Sequence, residues 1–137
     1  MGQPGPGAAV IAVAIHVCGD RNDSDNQWGH VLNHFRPDAI YTFTGGRCKP
    51  HNKGIPVTKV SELPGPVVFV SRSGKTPLSK FKHPADCCYL FGPDHTNFEP
   101  DIEPDHTVRI DYPGDLDMFS WVAGAVVLSA RGQPDHR

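Results

Sequence analysis

The chain opens, after a short Gly/Pro-rich leader, on an unbroken apolar run, residues 8–17 (AAVIAVAIHV), rich in Val and Ile. Such a run suits a strand buried on both faces, as in a parallel sheet covered by helices. A polar turn over 20–25 follows, with Ser24 or Asp25 placed to cap a helix from about Asn26 to Phe35 that Pro37 stops. Residues 39–43 (AIYTF) read as a second strand closed by Gly45-Gly46. From 47 to 66 Pro and Gly punctuate a loop with room for one short helical turn around Ser61 to Leu63. VVFVS (67–71), CCYLF (87–91) and TVRI (107–110) read as three further strands. Over about 116–130, Met118, Trp121, Val122, Ala125, Val126 and Ser129 recur at three- and four-residue spacing, which predicts a terminal helix with one apolar face. The element order predicts one α/β domain over 8–131, with a mostly parallel sheet covered by helices, a flexible leader at 1–7 and a flexible tail at 132–137. Ligand binding is then expected at the carboxyl ends of the strands.

At 137 residues there is room for a single core. A hydrophobic share of 38% with 20% charged residues excludes a disordered chain, and 14 Gly with 14 Pro exclude a helical bundle. The run 8–17 lacks a basic lead-in and falls short of the roughly 20 residues a span needs, so neither a signal peptide nor a membrane partner is expected and the location reads as cytoplasmic. Cys18, Cys48, Cys87 and Cys88 form no CxxC pair, which argues against a zinc ribbon or thioredoxin-type site and for reduced thiols. Pro-Asp-His occurs at 93–95, 104–106 and 134–136 without ligand-pair spacing, so no metal is expected. The net charge of −2 hides a split, because residues 45–83 hold 8 Lys+Arg against 1 Asp+Glu and residues 84–137 hold 3 against 10. A basic middle third restores a polyanionic partner that the average would disfavour.

Three stretches carry a sharper signal: YLFGPD (Tyr89 to Asp94), RIDYP (Arg109 to Pro113) and DMFSWVAGAVVL (Asp117 to Leu128). With PVVFVSRSGK before them, they resemble in order the knotted half of SPOUT-class (α/β-knot) RNA methyltransferases, the ribose 2′-O branch in particular, over roughly 66–130. NQWGHVLNHFRPDAIYTF is similar to that family's opening strand, turn, helix and strand, with altered spacing. The resemblance implies a C-terminal trefoil knot, S-adenosylmethionine as cofactor, RNA (tRNA or rRNA) as substrate and a homodimer whose sites form across two chains. It further implies a cofactor pocket from Val70, Ser71, Ser73 and Gly74, then Phe91, Gly92, Pro93 and Asp94. Ile110, Asp111, Tyr112, Pro113, Met118 and Phe119 would complete it. Gly92 is expected to permit close backbone approach and an unusual φ.

Methyl transfer to a ribose hydroxyl needs the oxygen deprotonated or polarised. Where the family uses an Arg on the first helix, this chain has Asn33 or His30, depending on alignment, and the family's Ser and Asn on the last loop align with Asp117 and Phe119. Asn cannot act as a base but His can, and His30 and His34 share a helix face at i and i+4, so these two are the candidates for proton transfer. Arg72 is the candidate for orienting a phosphate, with Arg36 also expected near the mouth. Arg36, Arg47, Lys49, Lys53 and Lys75 are the candidate RNA contacts. Two competing readings stand beside the methyltransferase: a non-catalytic S-adenosylmethionine- or RNA-binding protein on the same fold, and an unrelated α/β hydrolase or nucleotide-binding domain.

Overall fold

The computed structural model describes residues 10–18, 22–45, 48–93, 98–111 and 120–132. In chain order the elements are β1 (Ile11–Ile15), β2 (Val17–Cys18), α1 (Asn22–Phe35), β3 (Ala39–Phe43), β4 (Cys48–Lys49), β5 (Ile55–Val57), β6 (Val67–Val70), β7 (Thr76–Pro77), β8 (Cys87–Phe91), β9 (His106–Arg109) and α2 (Ser120–Gly132). Single 3-10 turns occupy Val60–Glu62 and Leu78–Lys80. Seven strands form one sheet in the order β5-β3-β1-β8-β6-β9-β7, with every pairing parallel. β2 and β4 form a separate antiparallel pair. Both edge strands, β5 and β7, are short and carry a proline, Pro56 or Pro77, which blocks extension by another strand.

The apolar run is not one strand. It breaks at His16, which is 3% exposed, faces the Phe91 carbonyl through Nδ1 at 2.8 Å and stacks flat on Phe43. Beyond it Val17–Cys18 leaves the main sheet for β4. The first helix starts at Asn22 rather than near Asn26, so Ser24 and Asp25 lie in its opening turns. Asp25, one turn in, is a favourable charge near the positive end of a helix. The helix ends where Pro37 requires. Arg36 adopts the left-handed conformation at φ 50°, with its N–H on the Leu32 carbonyl. In the punctuated loop the sequence reading missed β4 and β5, and β7 was likewise missed, because strands of two or three residues leave no period.

Alternation along β1 divides the core. Val13, Ile15, Tyr89, Phe91 and Val68 face a layer made by α1 and α2 through Trp28, Val31, Leu32, Ala123, Val127 and Leu128. Ala12, Ala14, Val67, Cys88 and Leu90 face the other way, onto Val60, Leu63 and Phe98. Among the described residues the second face is therefore covered by a 3-10 turn and loops, not by helices as expected. The small Ala12 and Ala14 leave space for that cover to approach.

Strand starts are tied by carboxylates. Asp38 accepts from the Ile11 N–H, Asp86 from Val10 and Asp105 from Val67, each at 2.7 Å, supplying partners for amides at the sheet's amino edge. At the same edge Arg131, near the end of α2, donates to the carbonyls of Pro84 and Ala85 and to the Tyr89 hydroxyl. The Tyr89 hydroxyl lies 2.6 Å from Nδ1 of His83. Burial and the nearby Arg131 hold the His83 imidazole below its usual pKa, and burial pushes the Tyr89 phenol up.

Candidate functional site

β8, β6 and β9 are consecutive in the sheet, so the segments leaving their carboxyl ends lie side by side. These are Ser71–Gly74, Gly92–Pro93 and Ile110–Asp111, the described parts of the three loops expected to form the cofactor pocket. Val70, Gly92, Pro93 and Ile110 are half-buried there, giving the strand ends an apolar floor that remains partly accessible.

The loop after β6 crosses over β9 to reach β7 on its far side. The crossing is tight. Ser71 N–H donates to the Val108 carbonyl, Gly74 N–H to the Ser71 carbonyl, and Lys75 N–H to Thr107 Oγ1 at 2.9 Å. Arg109 closes the crossing from below through Nη1 to the Gly74 carbonyl at 3.0 Å. A Cβ on Gly74 would lie 2.3 Å from the Val108 carbonyl carbon, so only glycine fits. Gly92, by contrast, lacks the expected unusual φ, and among the described residues the nearest atoms to a Cβ there belong to Phe69 and Phe98, at 3.7 Å or more. The glycine that close approach demands is Gly74. Gly92 serves as a narrow turn beside Phe69.

Ser71 and Ser73 face one another, Oγ to Oγ at 3.2 Å, and Arg72 between them is exposed. The Asp111 carboxylate is turned to the other side of β9, where it accepts from the Ser79 N–H at 3.0 Å and from the Ser79 hydroxyl. Those bonds hold its carboxyl below the usual range. Asp111 thus brings its backbone, not its carboxylate, to the three loops. Asp94, Tyr112, Pro113, Met118 and Phe119, as well as Arg47, lie outside the described residues.

His30 and His34 are together, but elsewhere. Both are exposed on the flank of α1 and line a groove of about 790 Å³ with Val31, Phe35, Val126 and Ala130. α1 descends from the carboxyl edge to the amino edge, and His34 sits in its last turn, with the Phe35 ring 4.7 Å away. The groove is lined by α1 and α2 and includes no described residue of the β8, β6 and β9 loops. Arg36, expected near the mouth, is also at the amino edge, two residues before Asp38 binds Ile11. Lys49 and Lys53 are exposed on the 48–53 segment beside α1's first turns, and Lys75 is exposed on the β6–β7 loop.

Three buried polar residues near the carboxyl edge escaped the sequence reading. His16 faces a carbonyl through Nδ1, so that nitrogen carries the proton. His51, 3% exposed, accepts the Lys53 N–H on Nδ1 and donates from Nε2 to the Asp25 carbonyl. Its own N–H donates to Thr42 Oγ1, so it staples the 48–53 segment to α1 and β3. Trp28, fully buried, donates to Ser120 Oγ at 3.2 Å. A polar atom inside an apolar run was the available signal for His16; nothing local distinguishes His51 or Trp28. Among the described residues no group of three or more His, Cys, Asp or Glu side chains could hold a metal ion, and no helix is long and apolar enough to cross a membrane.

No protein-family model and no curated protein sequence matches the chain. Solved structures do. A Porphyromonas gingivalis protein assigned to the TrmH family of RNA methyltransferases superposes with TM-score 0.65 at 13% identity over 93% of this chain and 61% of that one. The SpoU methyltransferase AviRb from Streptomyces viridochromogenes, solved with AdoMet, gives 0.67 at 11% over 93% of this chain and 58% of its own. A structure described for 2-OH methylation of C/U34 on tRNA gives 0.62 at 17% over 89% of this chain and 93% of that one. This chain thus spans about three fifths of the first two proteins and nearly all of the third. At these identities what is shared is the backbone arrangement: the chain has the SpoU/TrmH-type fold of SPOUT-class RNA ribose methyltransferases.

Proposed function

We propose that this protein is an S-adenosylmethionine-dependent RNA methyltransferase acting on tRNA or rRNA, with a ribose 2′-hydroxyl as acceptor. The observation that carries the reading is the convergence of the β6, β8 and β9 carboxyl-end segments over a partly accessible apolar floor, in a fold shared with a methyltransferase solved with AdoMet. The residues fit the cofactor. Val70, Ile110 and Pro93 offer apolar contact to a purine, and Gly92 leaves room for close approach. When bound, S-adenosylmethionine supplies an electrophilic methyl group on a sulfonium. The chain's own task is to hold the acceptor oxygen in line with that methyl group and to take up the proton lost as the O–CH3 bond forms and the S–CH3 bond breaks.

Arg72, exposed on the β6–β7 loop, orients an RNA phosphate in this reading, with Lys75, Lys49 and Lys53 extending the cationic surface. A C-terminal trefoil knot belongs to the same reading. It is supported by the insertion of β9 between β6 and β7, two strands that precede it in the chain. So does a homodimer, built across the apolar groove between α1 and α2, which would bury His30 and His34 at the interface and give either one access to a partner's loops.

A second reading, a cofactor- or RNA-binding protein without turnover, is favoured by one observation. The candidate bases line a groove between α1 and α2 that no described residue of the loops enters. Calorimetric titration with S-adenosylmethionine, followed by transfer of a labelled methyl group to bulk RNA, separates the two. Binding with transfer supports the enzyme, binding without transfer supports the second reading, and no binding refutes both. His30→Ala and His34→Ala test the proton-transfer role, which fails if both retain the full methylation rate.

A further inference from the structure

The side chain of Trp28 does more than fill the core. Its indole N–H reaches Ser120, the first residue of α2. Its ring tilts against Phe91, the last residue of β8, at 5.4 Å. The far edge of the ring fills a notch cut into α2 by Gly124, where a Cβ would come within 2.6 Å of Cη2. One rigid side chain thus touches the residue from which the Gly92–Pro93 turn departs and the residue at which α2 begins. A buried indole needs an acceptor in any case; here the acceptor is the residue that opens α2. Placing its single donor on a buried hydroxyl fixes both distance and rotation, because losing that acceptor leaves the indole N–H unsatisfied away from water.

We propose that Trp28 is a positioning residue for the cofactor site, setting the spacing between the end of β8 and the start of α2. The inference rests on the methyltransferase-type reading of that site. In this role Trp28 touches neither cofactor nor substrate; it acts through Phe91 and Ser120.

The test uses the full chain and S-adenosylmethionine. Trp28→Phe keeps an aromatic ring and removes the donor; Ser120→Ala removes the acceptor and leaves the indole in place. Each should weaken binding in calorimetry by about tenfold with an unchanged far-ultraviolet circular dichroism spectrum. The double variant should be no weaker than the worse single one, because both break the same link. The chain has 2 Trp, so Trp121→Phe leaves Trp28 as the only indole, and its emission should change on saturation with cofactor. If the unaltered chain does not bind S-adenosylmethionine, the reading of the site fails and the inference falls with it. If the unaltered chain binds and both single variants bind within twofold of it, the inference alone is overturned. The same holds if Trp28 emission is unmoved while calorimetry records binding. Should Trp28→Phe fail to fold, Ser120→Ala and the emission experiment decide.

Discussion

Gly74→Ala is the sharpest probe of the loop crossing. The added methyl would stand 2.3, 2.6 and 2.7 Å from the Val108 carbonyl carbon, its oxygen and the Arg109 nitrogen. All three are backbone atoms of β9, held between β6 and β7, so no rotamer change relieves the clash. Reaching the roughly 3.5 Å of ordinary contact moves the loop by about 1 Å. The Lys75 to Thr107 bond at 2.9 Å and the Arg109 to Gly74 bond at 3.0 Å do not survive such a shift. One neutral and one charge-assisted hydrogen bond are worth about 1 and about 1.5–3 kcal/mol. The stiffer unfolded chain returns about 0.4–1 kcal/mol. The net loss is about 1.5–3.6 kcal/mol, which with a urea slope of about 1.5 kcal/mol/M lowers the midpoint by about 1–2.4 M. Urea unfolding followed by circular dichroism measures it, with Gly92→Ala as the comparison. A Cβ at Gly92 finds ordinary contacts at no positive φ, so only the unfolded-chain term remains and its midpoint should rise by about 0.3–0.7 M. Equal midpoints for the two variants would refute the reasoning.

Other consequences are independent of that crossing. His83 is held below its usual pKa, so neutral imidazole is favoured in the folded state. The stability this carries is present above the unfolded value of about 6.5 and is lost as the pH falls through and below it. His83→Asn should therefore shrink the drop in thermal midpoint between pH 7.5 and 5.5, and an unchanged drop contradicts the assignment. Burial raises the Cys87 thiol and pushes the Cys88 thiol up to about 12, so both should resist iodoacetamide at pH 8 in the folded chain and react once it is unfolded in urea, as peptide mass mapping would show. Arg36 caps α1 at φ 50°, a conformation glycine adopts without strain. Arg36→Gly should raise stability by about 0.5–1 kcal/mol in urea, and a loss would show that the arginine side chain itself holds the cap.

What the sequence made legible was whatever depends on long apolar runs. AIYTF and CCYLF became β3 and β8 at their expected bounds, and the 3.6-residue period after Met118 became α2. Those strands, with VVFV and HTVR, bring the three candidate loops together, so their adjacency could be read before the shape they make. That shape could not. The choice between Gly74 and Gly92 turns on how close β9 comes to the loop above it, a distance between segments more than 30 residues apart. His51 and Trp28 look like ordinary loop and helix residues until Asp25 and Ser120 are beside them. His30 and His34 share a helix face, as i and i+4 spacing requires, but spacing does not say which end of the sheet that part of the helix reaches.

The charge split acquires a spatial meaning from the sheet. Asp38, Asp86 and Asp105 are bound to the amides of Ile11, Val10 and Val67, which places three carboxylates at the amino edge. Arg72 and Lys75 are exposed at the carboxyl edge. Strands of four or five residues separate the two edges by about 13–16 Å, well beyond the roughly 8 Å over which charges act at physiological salt. Among the described residues Asp25, in the opening turns of α1, and Asp111, at the carboxyl end of β9, also lie toward the carboxyl edge; Asp25 is 3.8 Å from His51 Nε2 and Asp111 is turned to Ser79. At Arg72 and Lys75 a polyanion therefore meets local cations rather than the formal charge of −2. Removing Arg72 or Lys75 should weaken RNA binding and flatten its salt dependence, whereas removing any one of the three amino-edge carboxylates should cost stability and leave that dependence alone.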